Sequence, residues 1–339
     1  MNIVKYIGER VMNKKGESGL ITKVDEFIHV DYEDRSCMYE MDAFEKGYLE
    51  WLNPEIKQKV VLEECMVSHR DLDQKLAAPL RELNSLVGLT KVKTKIEDLV
   101  CQIKISNIRR AMGLKVPETT NHMVFMGNPG TGKTTVARIV AKIFKELGLL
   151  TSGHMIEVDR SQLVAGYQGQ TSLKTKEVLT KALGGVLFID EAYSLCRSDE
   201  DDYGLEALDT ITKFMEDHRD NIIIIVAGYS REMMNFVNTN PGLQSRFKTF
   251  IEFDDYSGNE LFEIFNDFFL TNDYELSDEA REMASTFFRG DTIYTSNGRD
   301  VRNMFERCIL RQAKRLNDME HIGKRDLICI ESNDLCLTA

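Results

Sequence analysis

Short apolar runs separated by helical stretches dominate the chain from Leu83 to about residue 256. The runs are continuous rather than alternating, which is typical of strands buried on both faces. They lie at 123–126, 155–158, 186–189, 222–226 and 249–253. Between them, apolar residues recur every three to four positions, as in Leu205, Leu208, Ile211 and Met215. This alternation of strand and helix predicts an α/β fold with a doubly wound parallel sheet and right-handed crossovers.

The patterns on either side of this region differ from it. Residues 1–62 contain short alternating segments with turn signals between them, which predict a small antiparallel β-barrel. Residues 63–80 are charged and partly helical in pattern, and we interpret them as a linker helix. From residue 257 the strand signal is lost, while an apolar stripe begins at Leu261 and a long helix is predicted from Val301 to Leu316. The predicted domains are therefore 1–62, 81–256 and a helical domain at 257–339.

The first run of the central region leads into a glycine-rich loop of the form G-x-x-x-x-G-K-[ST]. A predicted strand precedes the loop and a predicted helix follows it, which favours a phosphate-binding loop over a chance turn. Its backbone N–H groups and the helix N-terminus suit phosphate oxygens, while Lys133 can reach the β- and γ-phosphates and Thr134 can ligate Mg²⁺. The candidate residues are Gly127, Asn128, Pro129, Gly130, Thr131, Gly132, Lys133, Thr134 and Thr135.

Two carboxylates follow the buried run at 186–189. Asp190 and Glu191 stand where that strand would end, and ligands of open α/β sheets bind at the carboxyl ends of the strands. A solvated strand end is the alternative interpretation of this pair. Behind a phosphate-binding loop, we expect Asp190 to hold Mg²⁺ and Glu191 to act as the general base that activates water.

Composition narrows the class of protein. The 339 residues include 42% hydrophobic residues and no apolar stretch long enough for a membrane span. Seven scattered cysteines and an N-terminus without a signal-peptide pattern predict free thiols and a cytoplasmic location, with no metal other than Mg²⁺. The net charge of −12 disfavours nonspecific nucleic-acid binding. Within residues 1–62, nine basic and twelve acidic residues favour a barrel that docks a protein, or one that only stabilises the fold.

Several longer segments resemble the CbxX/CfqX branch of the AAA+ ATPases. They are LVAGYQGQT (163–171), ALGGVLFIDEAYSL (182–195), EALDTITKFMED (206–217), NPGLQSRF (240–247) and GRDVRNMFERCILRQAKR (298–315). This branch includes CbbX-type rubisco activases, stage V sporulation protein K and type VII secretion ATPases. The resemblance covers about residues 81–316 and implies an AAA+ nucleotide-binding domain followed by a helical lid, with ATP and Mg²⁺ as cofactors.

Further site residues are implied by this resemblance. Val87 and Gly88 lie in the segment that lines the adenine pocket in the family. Arg246 matches the arginine finger, which reaches the γ-phosphate of a neighbouring subunit; a surface arginine is the alternative. Arg299 matches the sensor-2 position, with Arg302 as the second candidate. Tyr229 stands where many AAA+ proteins have the asparagine of sensor 1.

The loop Tyr167-Gln168-Gly169 matches the central pore loop of threading ATPases, which is usually aromatic–hydrophobic–glycine. Gln168 departs from that pattern and makes the loop more polar, and a loop residue packed on its own domain is the alternative for Tyr167. The leading hypothesis is a ring, expected to be a hexamer, that hydrolyses ATP to remodel or thread a protein client. A nucleic-acid motor or loader, with Lys174 and Lys176 near the loop, and a nucleotide-gated scaffold are the alternatives.

Overall fold

The five predicted apolar runs form one parallel sheet in the computed structural model. The structure describes residues 9–15, 17–24, 27–33, 36–51, 71–117, 119–167, 169–196, 202–290 and 296–337. The strands are β6 (Met123–Gly127), β7 (Met155–Val158), β8 (Val186–Ile189), β9 (Ile223–Gly228) and β10 (Thr249–Phe253), in the spatial order β10-β6-β9-β8-β7. The predicted doubly wound α/β fold class is therefore confirmed.

Helices connect these strands and cover the sheet. They are α3 (Lys133–Glu146), α4 (Arg160–Leu163), α5 (Gln170–Lys181), α6 (Asp202–Asp217), α7 (Ser230–Thr239) and α8 (Pro241–Arg246), with a 3-10 helix at Ala192–Cys196. Strands β6, β8 and β9 are buried at every residue, which explains why their sequences are continuously apolar. The buried face of α3 carries Val136, Ile139, Val140 and Ile143 at helical spacing.

A helical bundle follows the sheet, as predicted. It contains α9 (Gly258–Thr271), α10 (Asp278–Arg289), α11 (Gly298–Asn317) and α12 (Lys324–Ile328). Ser257 and Glu260 form a capping box that begins α9, and Phe265, Phe269 and Phe288 pack in the core of the bundle. Contrary to the expected loss of strands, β11 (Glu275–Leu276) pairs in parallel with β12 (Cys329–Ile330), and a 3-10 helix at Ser332–Asp334 follows.

The N-terminal region is an antiparallel sheet, consistent with the predicted small barrel. Its strands are β1 (Arg10–Asn13), β2 (Ser18–Val24), β3 (Ile28–Asp31), β4 (Ser36–Tyr39) and β5 (Leu49–Trp51), in the order β4-β3-β2-β1-β5. Val11, Ile21, Ile28, Val30 and Leu49 are buried in its core. Phe44 packs against this core, whereas Tyr48 is 46% exposed. The pattern of large apolar residues at 44–52 also predicts core positions for Trp51 and Leu52, but Leu52 and the Trp51 side chain lie outside what the structure describes.

The chain divides into two compact units. One contains this sheet and comprises the residues up to Lys75 with Gln102–Pro117, and the other comprises Leu76–Cys101 and Glu118–Ala339. Two further helices are α1 (71–85) and α2 (Thr90–Ala111). The predicted linker helix at 63–80 falls partly outside the described residues, which resume at 71. Across the described residues, we find no helix with the length and apolar character needed to span a membrane.

Candidate nucleotide-binding site

The glycine-rich loop joins the end of β6 to the start of α3. Gly127, Gly130 and Gly132 have φ angles of 152°, 73° and 94°, which side-chain-bearing residues rarely adopt. A Cβ on Gly130 would overlap the Ser296 carbonyl oxygen and lie 2.8 Å from the Arg299 backbone nitrogen. Glycine is therefore required at position 130 both by conformation and by the close approach of another segment.

Lys133 begins α3 and lies against the loop. Its ammonium group donates hydrogen bonds to the carbonyl oxygens of Gly127 (2.8 Å) and Asn128 (2.7 Å). Burial lowers the pKa of Lys133, while the nearby carboxylate of Asp190 raises it. Burial disfavours an uncompensated positive charge, so this position is suited to an anionic ligand.

Asp190 and Glu191 lie at the carboxyl end of β8. The Glu191 backbone N–H donates to Asp190 Oδ1 at 3.0 Å. Glu191 has a φ of 47°, in the left-handed region that few non-glycine residues occupy. Backbone conformations of this kind cost free energy and are concentrated at functional sites. The turn at Glu191 ends the buried strand and places both carboxylates on the cavity described next.

A cavity of about 700 Å³ joins the phosphate-binding loop, the strand ends and the helical bundle. Its polar and backbone lining comes from Ser85, Gly127, Pro129, Gly130, Gly132, Lys133, Thr134, Thr135, Asp190, Glu191, Gly228, Tyr229, Asp267, Thr271, Gly298, Arg299 and Arg302. Its apolar and aromatic lining comes from Leu86, Val87, Leu89, Tyr256, Ile264 and Phe268. The apolar walls suit the base of a nucleotide, and the adjoining loop suits its phosphates.

Most of the residues expected to bind the cofactor line this cavity, whereas Asn128, Thr131 and Gly88 do not. The Asn128 amide donates to the Asp255 carboxylate (2.9 Å), and the buried Thr131 hydroxyl donates to the Asn128 carbonyl oxygen (2.8 Å). Gly88 has a φ of 61°, and a Cβ there would overlap the Glu260 carboxylate. The side chains of Asn128 and Thr131 and the backbone at Gly88 therefore shape the loops around the cavity.

Arg299 and Arg302, the two sensor-2 candidates in the first turns of α11, are both on the cavity wall. The Arg299 backbone nitrogen lies against Gly130, at the start of the helix, whereas the Arg302 guanidinium lies 5.5 Å from the centroid of the Phe268 ring. Arg302 is thus engaged in a cation–π contact, whereas Arg299 lies next to the phosphate-binding loop.

Tyr229 also lines the cavity, as the N-cap residue of α7, and its ring centroid is 6.1 Å from that of Tyr193. Burial raises the pKa of Tyr193 to about 12, and the charge of Glu191 adds to this. The preceding Gly228 has no room for a side chain, since a Cβ there would lie 2.7 Å from the Tyr193 ring. Tyr193 and Tyr229 are therefore neighbours, and the charge of Glu191 acts on Tyr193.

Arg246 lies at the end of α8 and is not part of the cavity wall. Its guanidinium forms a salt bridge with Glu216 (2.7 Å) and donates to the Gly242 carbonyl oxygen (3.0 Å). Its Nε is buried and has no hydrogen-bond partner among the described residues. Burial, together with the charge of Arg246, lowers the pKa of His122 to about 4, and His122 Nδ1 accepts a hydrogen bond from the Ile224 N–H (3.1 Å).

Tyr167 lies in the connection between α4 and α5, and its side chain is 73% exposed. The segments on both sides of it are anchored. Lys174 Nζ donates to the Val164 carbonyl oxygen (2.9 Å), and the Ala165 N–H donates to Thr171 Oγ1 (3.1 Å). Gly169 is the N-cap of α5 with a φ of 78°, while Gln168 lies outside the described residues. Tyr167 is therefore exposed between two segments that are held in place.

Sequence reasoning missed residues from three segments that line the cavity or support its phosphate-binding loop. Asp255 and Tyr256 follow β10, and their position after a predicted parallel strand could have indicated them. Asp267, Phe268 and Thr271 come from α9, and no local signal distinguishes them from other helix residues. Asn297 precedes α11 and contacts the phosphate-binding loop through a residue pair 168 positions apart.

Comparison with known proteins agrees with this geometry. The AAA family, the ATPase family associated with various cellular activities, matches residues 123–255, and the AAA lid domain matches residues 257–338. Stage V sporulation protein K of Bacillus subtilis (strain 168) is 46% identical over 262 residues, which cover 76% of this chain and 81% of that protein. The chain belongs to the CbxX/CfqX branch of the AAA+ ATPases. As in that family, it binds a nucleotide and hydrolyses ATP.

Other members of this AAA+ branch are similar over most of their length. Protein CbbX of Cereibacter sphaeroides is 44% identical, over 70% of this chain and 78% of that protein. The chloroplastic ribulose bisphosphate carboxylase/oxygenase activase of Cyanidioschyzon merolae (strain NIES-3377 / 10D) is 42% identical, over 74% of this chain and 87% of that protein. The AAA domain of FIGL-1 in complex with ADP shares the fold, with a TM-score of 0.53 and 18% identity over 74% of this chain and 80% of that chain.

Proposed function

We propose that this AAA+ ATPase assembles into a closed ring, expected to be a hexamer, and uses ATP hydrolysis to remodel or thread a protein client through the central pore. The observation that carries the proposal is the exposure of Tyr167 on a connection with anchored ends. An aromatic side chain held in this way can grip a polypeptide, and movement of its anchoring helices moves the grip. In this proposal, residues 1–62 dock the client or an adaptor.

The hydrolysis step gives a role to Glu191, Lys133 and Arg299 of the cavity. Glu191 takes a proton from the attacking water, while Lys133 and the N–H groups of the loop neutralise the phosphates. Arg299 contacts the phosphates from the lid side, because its backbone adjoins Gly130, and Tyr229 orients water beside Glu191. Val87 contacts the base, as in the adenine pocket that the resemblance implies.

Thr134 and Asp190 are the proposed Mg²⁺ ligands. Both line the cavity, and the Glu191 N–H occupies only one lone pair of the Asp190 carboxylate, so oxygen donors remain available. Among the described residues, no cluster of three or more His, Cys, Asp or Glu side chains could hold a metal. Mg²⁺ that accompanies a nucleotide does not need such a cluster, since phosphates and water supply its other ligands. The bound ion would neutralise charge on the β- and γ-phosphates.

The position of Arg246 is an argument for the proposed ring. It lies away from the cavity of its own subunit, so it can contribute to catalysis only at the site of another subunit. Its salt bridge to Glu216 holds the guanidinium in place before assembly. Heterologous contacts that repeat around an axis close into a ring, which gives every cavity one such arginine.

The hydrogen bonds of Lys174 argue against the alternative of a nucleic-acid motor or loader. Lys174, a candidate for binding a phosphate backbone near Tyr167, donates instead to the carbonyl oxygens of Ser161 (2.6 Å) and Val164 (2.9 Å). Its charge is thus used to anchor the connection. Together with the net charge of −12, this contact favours a protein client.

Site-specific photocrosslinking tests the proposal. A benzophenone amino acid replaces Tyr167 in a Glu191→Gln background, which should retain ATP, and the full chain is irradiated in cells and purified. The matched control places the same group at Met283 on α10, which is 47% exposed. We expect an ATP-dependent polypeptide adduct at position 167 only. An adduct with nucleic acid alone, or no adduct from an assembled ring, would contradict threading of a protein.

A further inference from the structure

Three consecutive carbonyl groups of the phosphate-binding loop are held from the side of the lid. Each accepts a hydrogen bond either from the segment that follows β10 or from the segment at the start of α11. The pairs are Asn297 Nδ2 to Pro129 O (3.4 Å), the Gly298 N–H to Gly130 O (3.1 Å) and the Tyr256 hydroxyl to Thr131 O (3.3 Å).

These bonds determine where the loop directs its N–H groups. In a trans peptide, the carbonyl and the N–H of the next residue point in opposite directions. Bonds that hold the carbonyls of residues 129–131 therefore direct the N–H groups of Gly130, Thr131 and Gly132 away from these three donors, towards the inside of the loop, which is suited to phosphates. Donors fixed in advance are more effective than donors that must be ordered when the ligand arrives.

Asn297 is the centre of this arrangement. It is 1% exposed, and its amide makes three contacts with two other segments. Besides the bond to Pro129, Nδ2 donates to Asp255 Oδ1 at 2.8 Å, and Oδ1 accepts from the Tyr256 N–H at 2.9 Å. Asp255 in turn accepts from the Asn128 side chain at 2.9 Å, so one amide connects the Asn128–Pro129 part of the loop to the lid.

The backbone at Asn297 adds a second argument. Its φ of 50° and ψ of −127° form a conformation that is costly for a residue with a side chain. Glycine would adopt it more easily, yet an amide is present and fully used. The same turn leads directly into α11, whose residue Arg299 lines the cavity. The position thus connects the phosphate-binding loop with the arginine of the lid.

We propose that Asn297 is a positioning residue of the ATPase reaction, which holds the lid segment 296–298 on the phosphate-binding loop. It thereby directs the loop N–H groups and Arg299 to the phosphates. Asp255 is its partner, since the carboxylate fixes the amide orientation that Pro129 and Tyr256 require. This inference rests on ATP hydrolysis alone and is independent of threading.

The test uses an isosteric exchange and its reversal. Asn297→Asp removes the donor to Pro129 and places a carboxylate against Asp255. We expect ATP binding, measured in the full-length Glu191→Gln background, to weaken about tenfold or more, which is the effect of losing a hydrogen bond to a charged group. Adding Asp255→Asn exchanges donor and acceptor between positions 255 and 297 and removes the repulsion. This double variant should recover part of the affinity, because the side chains at 255 and 297 pair again while the Pro129 carbonyl stays without its donor.

Asn303→Asp is the matched control, because it makes the same exchange at an exposed position of the same helix. Its ATP affinity should stay within about twofold of the parent, well below the tenfold loss expected at Asn297. If Asn297→Asp does not fold, Asn297→Gly decides, since glycine keeps the turn and removes only the amide. Unchanged ATP affinity in Asn297→Asp or Asn297→Gly would overturn the proposal, as would a folded double variant that recovers nothing.

Discussion

The phosphate-binding cavity and the surface that carries Arg246 and Tyr167 are built in different ways. At the cavity, Lys133, Asp190, Glu191 and the loop glycines all lie within one chain and already surround a common space. Arg246 and Tyr167 lie outside that space, one held by Glu216 and the other exposed on its connection. From this difference we expect a single chain to suffice for binding the nucleotide, and the proposed ring would supply the second chain for efficient hydrolysis and mechanical work.

Removing the contribution from the neighbouring subunit should have the largest effect. In Arg246→Ala we expect the ATPase rate to fall by about 10³-fold or more, the loss seen when an arginine finger is removed, while the Kd for ATP changes little. Arg231→Ala, an exposed arginine on α7, is the control. Mixed rings with Lys133→Ala chains should recover part of the rate, because some interfaces then hold an intact pair. Failure to recover any rate would count against catalysis in trans.

Removing the base within the cavity should have the next largest effect. Glu191→Gln keeps the size of the side chain and removes its ability to take a proton, so turnover should fall by about 10²- to 10⁴-fold. ATP binding should persist, since Lys133 and the loop are unchanged. Turnover at the parental rate would show that another group activates the water. Equilibrium binding and steady-state phosphate release measure the two quantities.

A single added methyl group tests whether the phosphate-binding loop depends on its close contact with the lid segment. Gly130→Ala adds a Cβ that overlaps Ser296, so we expect ATP binding to be lost and stability to fall by more than about 2 kcal/mol. Gly148→Ala is the control, because Gly148 has a similar φ of 76° with nothing within 4 Å of its Cβ. That variant should lose only the conformational cost, about 1 kcal/mol. Equal losses in the two variants would show that close contact with the lid is unimportant.

The smallest effect concerns His122, a buried residue whose pKa is lowered in part by the charge of Arg246. His122 is buried and its pKa is lowered to about 4, so the folded state resists its protonation. Its contribution to stability is complete above the unfolded pKa of about 6.5, and it is lost as the pH falls through 6.5 towards 4, up to about 3 kcal/mol. Denaturant titrations between pH 4.5 and 7.5 should show this slope, and His122→Asn should reduce it. A slope unchanged by this variant, or reduced equally by the exposed control His321→Asn, would assign it to other groups.

Both the buried strands and the site residues that directly follow them could be predicted from local sequence patterns. The strands at 123–127 and 186–189 are continuously apolar because both of their faces are covered, and this leaves a clear signal in the sequence. The loop that begins at Gly127 and the pair Asp190-Glu191 could be found because their spacing follows those strands. Asn297 could not be found in this way, since its partners lie up to 168 positions away and its own neighbours carry no periodic signal.

The sequence by itself determined the family and the nucleotide and predicted which residues lie nearest to the phosphates, because phosphate chemistry requires fixed residue types at fixed spacing along one strand and one helix. The tertiary structure decided how those residues are supported. It placed Arg299 rather than Arg302 beside the loop, excluded Arg246 from its own cavity, and used Lys174 as an anchor. Each of these outcomes depends on which distant segments come into contact, and packing between elements sets those contacts.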